Sequence, residues 1–248
     1  TALPGPRDQG VDRDHDAPDP RTQRLRGREV RRRQGRARGS RRRHRRPICL
    51  SCSPRSDFII AHDLQDGHEV WRCGGLNRRD DTVLPYDRTL RFVASPATAP
   101  GLIIAPSAKQ HPLLAIRAGG SGDITSSAKH RLWDWKRTPD VPSPLILDGL
   151  VYLCMENGNL TVLEADSGKE VYSEATHRQR HRASPVYADG KLYLTARDGR
   201  ITVVQAGREF KVLAVNELGE DQSASPAISG GTLYLRTFGH LWAIRNGK

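Results

Sequence analysis

Residues 184–204, SPVYADGKLYLTARDGRITVV, contain two short β-type runs separated by turn sequences. In the first run, Leu192 and Leu194 fall on one side of a strand and Tyr193 falls on the other. The Asp-Gly pairs at 189–190 and 198–199 allow the positive φ angles that tight turns between twisted strands require. The stretch therefore predicts consecutive antiparallel strands joined by short turns.

The same phrase recurs along the chain. Ser-Pro pairs stand at 95–96, 143–144, 184–185 and 225–226, so that successive copies are 48, 41 and 41 residues apart. Residues 143–163 align with residues 184–204 without a gap. Self-similarity at this period in a β-type sequence indicates a repeat architecture, and a β-propeller is the predicted fold.

A second shared phrase completes the repeating unit. DFIIAHDLQDGHEVW (57–71) aligns with GNLTVLEADSGKEVY (158–172) at a constant offset of 101, and each ends in an aromatic residue. In the longer copy, LWDW occupies the corresponding place. We expect Trp71, Tyr172, Trp133 and Trp135 to pack between adjacent sheets. Because one such sheet would expose apolar side chains on both faces, stacking of successive copies must supply the core.

These phrases resemble the PQQ-like β-propeller repeat, with its Ser-Pro start, its DGKLYL hairpin, DGRITVV, and then EADSGKEVY or HDLQDGHEVW. The resemblance covers roughly residues 57–248. It implies four-stranded blades, which the family arranges in rings of about seven or eight, mostly in bacterial extracytoplasmic proteins. We therefore expect an all-β chain that forms a partial ring of about four to five blades.

The repeat also sets the expected domain boundaries. Residues 1–56 are predicted to be a disordered or out-of-frame Arg-rich segment, and residues 57–248 to be the propeller blades. Counting back from Ser143 by 101 places the expected Ser-Pro at Arg42-Arg43, so the first blade is predicted to begin in its middle. The predicted blades are 57–75 (partial), 92–138, 141–180, 182–222 and 223–248 (incomplete).

The charge of the chain lies almost entirely in its first segment. Residues 1–56 contain 17 Arg, no Lys and 6 acidic residues, a net charge of +11 out of +12 for the whole chain. Arg clusters of this kind neutralise phosphates, so a nucleic-acid or anionic-surface arm is one interpretation. A disordered tail and a frame-shifted gene product are the alternatives. No aromatic residues are interleaved for base stacking, so we expect no nucleic-acid partner.

The leading functional hypothesis is a non-enzymatic scaffold or binding module. We find no set of residues that predicts a catalytic, cofactor-binding or metal site. We expect a protein, peptide or carbohydrate partner at the loops between blades. The long connection RAGGSGDITSSAKHRLWDWKRT (117–138) is the best candidate surface. The histidines of THRQRHR, His177 and His181, are interpreted as part of a solvated basic loop.

The resemblance also brings an enzymatic alternative, a fragment of a PQQ-dependent quinoprotein dehydrogenase. Such enzymes hold PQQ and calcium on the ring axis and stack the quinone against a disulfide of adjacent cysteines. Cys49, Cys52, Cys73 and Cys154 include no adjacent pair. We therefore expect neither cofactor. The lone CxxC at 49–52 lacks the two further ligands that zinc would need.

Location follows from the resemblance alone. No stretch approaches 18 consecutive apolar residues, so we expect no membrane span. The chain shows no signal peptide, and the resemblance implies a periplasmic or secreted protein. The last blade, ending in LWAIRNGK, stops before its fourth strand, so its open edge is expected to pair with other chains.

Overall fold

The protein is described by a computed structural model that covers residues 47–52, 58–76, 92–107 and 111–245. Strands form all of the regular structure of these residues. In chain order they are β1 (Ile48–Cys52), β2 (Ile59–Asp63), β3 (Glu69–Cys73), β4 (Ala97–Ala99), β5 (Leu102–Ala105), β6 (Leu113–Arg117), β7 (Gly122–Asp123), β8 (Arg131–Trp135), β9 (Leu145–Leu147), β10 (Leu150–Cys154), β11 (Asn159–Glu164), β12 (Glu170–Ala175), β13 (Val186–Ala188), β14 (Lys191–Thr195), β15 (Arg200–Gln205), β16 (Val212–Glu217), β17 (Ala227–Ser229), β18 (Thr232–Arg236) and β19 (Leu241–Arg245).

The strands form five sheets, numbered here along the chain. Sheet 1 has the order β1-β2-β3-β7, sheet 2 β4-β5-β6-β8, sheet 3 β9-β10-β11-β12, sheet 4 β13-β14-β15-β16 and sheet 5 β17-β18-β19. Sheets 2 to 4 are antiparallel meanders of the predicted four-stranded kind. Corresponding strands of sheets 3 and 4 begin 41 or 42 residues apart, which confirms the repeat.

The predicted Asp-Gly turns set the register of the first hairpin in sheets 3 and 4. Asp148 and Gly149 have φ angles of 48° and 76°, and Asp189 and Gly190 have 49° and 71°. Each pair joins two strands whose end residues face each other, Leu147 with Leu150 in sheet 3 and Ala188 with Lys191 in sheet 4. Two consecutive positive φ angles give the twist that a two-residue hairpin needs.

Apolar clusters lie between successive sheets, as predicted. Ile59 and Trp71 of sheet 1 pack against Ile103 and Leu114 of sheet 2. Similar clusters join sheet 2 to sheet 3, sheet 3 to sheet 4, and sheet 4 to sheet 5. Most of these side chains are fully buried, so each sheet supplies one wall of its neighbour's core.

The Ser-Pro repeat forms a hydrogen-bond ladder across the sheets. The N–H of Ser95 donates to Oγ of Ser143, the N–H of Ser143 to Oγ of Ser184, and the N–H of Ser184 to Oγ of Ser225, each at 2.9 Å. Each serine therefore links two consecutive sheets. The following proline leaves no N–H to compete for the same acceptor.

Sheet 1 departs from the prediction at its beginning. Residues 1–56 were expected to lie outside the fold, but Ile48–Cys52 pairs along its whole length with β2, from Ile48 opposite Asp63 to Cys52 opposite Ile59. The partial blade predicted at 57–75 therefore starts at least nine residues earlier. The Arg-rich residues before Pro47 lie outside the described residues.

The connection 117–138 is also less of a loop than predicted. Its middle forms β7, which runs parallel to β3 and extends sheet 1, with Trp71 opposite Gly122. Its end forms β8, the fourth strand of sheet 2. The N–H of Gly74 donates to Oγ1 of Thr125 at 2.8 Å, which adds a second link between the segment that follows β7 and sheet 1. Backbone pairing therefore uses much of the segment that was proposed as a binding surface.

Candidate binding groove on the loop face

Turns and inter-sheet connections meet on one side of the sheets, which we term the loop face. It contains the turns 155–158 and 196–199 and the connections 136–142 and 176–183. The connection leaving sheet 3 crosses to sheet 4, where His181 forms a β-bridge with Ala196 and the N–H of Arg197 donates to the Arg180 carbonyl at 2.8 Å. The loop face is therefore held by backbone bonds between neighbouring repeats.

Side chains fill the joint between sheets 3 and 4 on this face. Nε2 of His177 lies 2.7 Å from Oδ2 of Asp198, and the guanidinium of Arg200 lies 3.3 Å from Nδ1 of His177. Since the guanidinium can only donate, Nδ1 accepts and Nε2 carries the proton that bonds to Asp198. Burial raises the pKa of Asp198, but the hydrogen bonds from His177 and from the Arg200 N–H outweigh it and lower the pKa below its usual value.

The preceding joint, between sheets 2 and 3, has different residues at the same positions. Asn157 and Asn159 stand 41 residues before Asp198 and Arg200. The local turn is unchanged, because the N–H of Asn159 donates to Oδ1 of Asn157 at 3.2 Å, as the N–H of Arg200 donates to Oδ1 of Asp198 at 3.3 Å. Instead of an imidazole and a guanidinium, this joint contains a cleft of about 400 Å³.

The length of the connection contributes to the opening. Trp133 and Tyr172 occupy equivalent places opposite Ala115 and Val162. Trp133 precedes Ser143 by 10 positions, whereas Tyr172 precedes its serine by 12. The connection into sheet 3 is thus two residues shorter than the connection into sheet 4, and it supplies no counterpart of His177.

Polar side chains line the cleft. Trp135, Lys136 and Arg137 form one side. Thr138 is 3% exposed, and its Oγ1 has no hydrogen-bond partner among the described residues. The opposite side includes Thr161, whose hydroxyl lies 2.8 Å from that of its cross-strand neighbour on β12.

A second hollow of about 640 Å³ continues the cleft along the loop face. It is lined by Arg178, Gln179 and Arg180, and it shares Asn157 and Asn159 with the first. The two hollows together are termed the groove below. Their volumes lie in the range of small-ligand and peptide sites.

The solvated-loop interpretation of His177 and His181 is wrong. His181 is fully buried, its Nδ1 lies 2.8 Å from the Gln179 carbonyl, and burial lowers its pKa. Gln222 takes the equivalent place in the next repeat, is equally buried, and forms a bridge with Thr237. A polar residue three positions before each of the last three Ser-Pro pairs, beginning with Asp140, is the sequence signal that identifies this place.

The cysteines occupy separate environments. Cys49 is exposed on β1, whereas Cys73 and Cys154 are buried in sheets 1 and 3. Burial raises the pKa of Cys154 to about 12. Within the described ranges no group of three His, Cys, Asp or Glu side chains is placed to hold a metal ion. The expectation that the chain binds neither PQQ nor calcium stays a prediction.

Repeated four-stranded sheets that bury their faces against one another define a protein of the β-propeller repeat class. The chain belongs to the family described as outer membrane protein assembly factor BamB, whose model matches residues 55–248. This confirms the predicted PQQ-like repeat and the partial propeller. No helix long and apolar enough to cross a membrane is found in the part of the chain that the structure describes.

Solved structures agree on the fold. BamB from Moraxella catarrhalis matches with a TM-score of 0.59 at 16% identity, covering 80% of this chain and 57% of that one. The computationally designed Ika8 protein matches with a TM-score of 0.59 at 14% identity, covering 79% of this chain and 55% of the design. The designed Ika4 protein gives 0.51 at 14% identity, with 62% and 91% covered. The chain thus spans little more than half of the length of the Moraxella protein. No curated protein sequence matches it.

Proposed function

We propose that the chain is a non-enzymatic protein-binding module of the bacterial cell envelope and that it holds its partner on the loop face. The observation that carries this proposal is the groove between sheets 2 and 3, where Asn157 and Asn159 stand at the positions of Asp198 and Arg200 but their side chains form no bond across the joint with a described residue. The equivalent side chains of the next joint do form such bonds. A propeller that offers an open joint on a face held by backbone bonds is suited to binding.

Two of the ionisable groups with shifted pKa values form hydrogen bonds that link one sheet to the next. Hydrogen bonds from Arg208 lower the pKa of Glu164 and join sheet 4 to sheet 3. Hydrogen bonds from Thr237 and His240 lower the pKa of Glu220 to about 2 and fasten the connection into sheet 5. Structural ion pairs shift pKa values as catalytic sites do, so these shifts are explained without a catalytic role.

The family description supports a protein partner and an extracytoplasmic location. It names an outer membrane protein assembly factor, and the Moraxella structure bears the same name. A protein of this kind works by contacting other proteins, so we extend that mode of action to this chain. Carbohydrate binding, self-association at open sheet edges and the quinoprotein activity stay alternative predictions.

Site-specific photo-crosslinking tests the proposal. A photoreactive residue is placed at Asn157 on the loop face or, as a matched control, at Asp189, an exposed turn residue at the opposite end of the strands. With a cell-envelope extract, we expect a discrete protein adduct from position 157 and none from position 189. Equal crosslinking from both positions would overturn the choice of face, and PQQ-dependent dehydrogenase turnover by the full chain would overturn the non-enzymatic assignment.

A further inference from the structure

We infer that the groove between sheets 2 and 3 binds an extended acidic segment of a partner protein. This inference rests on the proposed protein-binding function and adds the chemistry of the ligand. Three observations carry it: the neutral amides at the centre of the groove, the cations at both of its ends, and its elongated form.

The centre of the groove suits a peptide backbone. The side chains of Asn157 and Asn159 face this joint from one turn, and a carboxamide both donates and accepts hydrogen bonds. A peptide group likewise offers one donor and one acceptor, so an extended chain can pair with both carboxamides. In the next joint His177 and Arg200 take this place.

The ends of the groove select negative charge. Lys136 and Arg137 lie at one end, and Arg178 and Arg180 lie at the other. All four are exposed, and none forms an ion pair with another described residue. Three acidic residues, Glu156, Glu170 and the buried Asp140, also line the groove. The four cations outnumber these three acids and lie at both ends of the groove, which suits an acidic segment that extends along it.

Two other occupants fit less well. The chain's own Arg-rich N-terminal segment carries the same sign of charge as the groove. An anionic membrane surface would attract the same four cations, but it is flat, whereas these cations line a concave groove. A polypeptide strand can enter the groove and present both backbone and carboxylates.

The test measures the fluorescence anisotropy of labelled peptides mixed with the full chain. The probe is a repeating Glu-Thr peptide, and repeating Gln-Thr and Lys-Thr peptides are the comparisons. We expect only the acidic peptide to bind, with an affinity that falls as salt is raised. Charge reversal of each pair, K136E/R137E and R178E/R180E, should weaken binding about tenfold or more.

The matched control is K169E/K211E, which reverses two exposed lysines outside the groove and should change the affinity by less than about twofold. Acidic-peptide binding that survives both groove reversals belongs to the N-terminal segment and overturns the inference. Binding to phosphatidylglycerol vesicles that both reversals abolish, without peptide binding, overturns it in favour of a membrane surface. Failure of the peptide with intact crosslinking at Asn157 overturns only the acidic ligand, whereas failure of both overturns the proposed function.

Discussion

Gly158→Ala should disrupt the joint between sheets 3 and 4. Gly158 has a φ of 87°, and a Cβ at this position would lie 1.7 Å from the carbonyl oxygen of His177. Two hydrogen bonds hold the connection 176–183 close to the Gly158 turn. The N–H and the hydroxyl of Thr176 both donate to the Gly158 carbonyl, at 2.9 and 2.7 Å. An added methyl group must therefore move the connection and break these bonds.

Gly149→Ala is the matched control for the cost of left-handed backbone strain alone. Gly149 has a similar φ of 76°, but nothing lies within 4 Å of its Cβ position, so its substitution introduces only left-handed backbone strain, about 1–2 kcal/mol. Gly158→Ala carries the same strain and also loses two hydrogen bonds worth about 1 kcal/mol each. The total is about 3–4 kcal/mol, toward the upper end of single-substitution effects.

Urea unfolding of the full chain, followed by far-ultraviolet circular dichroism, measures both variants. We expect the free energy of unfolding to fall by at least about 2 kcal/mol more for Gly158→Ala than for Gly149→Ala. Equal losses would refute the close approach of the turn and the connection. They would also remove the physical basis for treating the loop face as a surface held by backbone bonds.

Three further outcomes are expected. Ser184→Ala should lower the free energy of unfolding by about 1 kcal/mol, because the N–H of Ser143 loses its acceptor. A urea midpoint equal to that of Ser229→Ala, an exposed control, would contradict the hydrogen-bond ladder of the Ser-Pro serines. Because the folded pKa of Glu220 is depressed from 4.5 to about 2, its contribution to stability should be complete above pH 4.5 and vanish as pH falls toward 2; a pH-independent difference between the wild type and Glu220→Gln would refute this. A thiol reagent should label Cys49 and leave Cys154, whose pKa is raised to about 12, until the chain unfolds; mass spectrometry showing equal labelling of both would count against the burial of Cys154.

Local chemistry explains why much of the fold could be predicted. An Asp-Gly turn and its flanking strands are written within about a dozen residues, so the hairpin at Asp189 follows from its own sequence. The alternation of Leu192 and Leu194 identifies the buried face of β14, and both side chains are buried against sheet 3. The period of 41 then extends that result to the neighbouring sheet.

Non-local pairing explains the failures. β1 has no Ser-Pro start and follows an Arg-rich stretch, and it is a strand because β2 offers it a pairing edge. β7 contains only Gly122 and Asp123, and its partner β3 lies about 50 residues earlier in the chain. Neither propensity nor periodicity predicts a strand of two residues. The burial of His181 also depends on the sheet that the connection crosses, which a basic loop sequence does not reveal.

The groove was missed for a related reason. Asn and Asp form the same local turn, so Asn157 and Asp198 look like a neutral exchange when the repeats are aligned. Their consequences differ only across the joint, where Asp198 anchors an imidazole and Asn157 faces open space. The second exchange, Asn159 for Arg200, removes the guanidinium that would otherwise reach across. Because the turn requires only a side-chain oxygen at the first position, the fold leaves the second position and the length of the connection free to vary. The residue at that second position and the length of the connection therefore distinguish the open joint between sheets 2 and 3 from the closed joint between sheets 3 and 4.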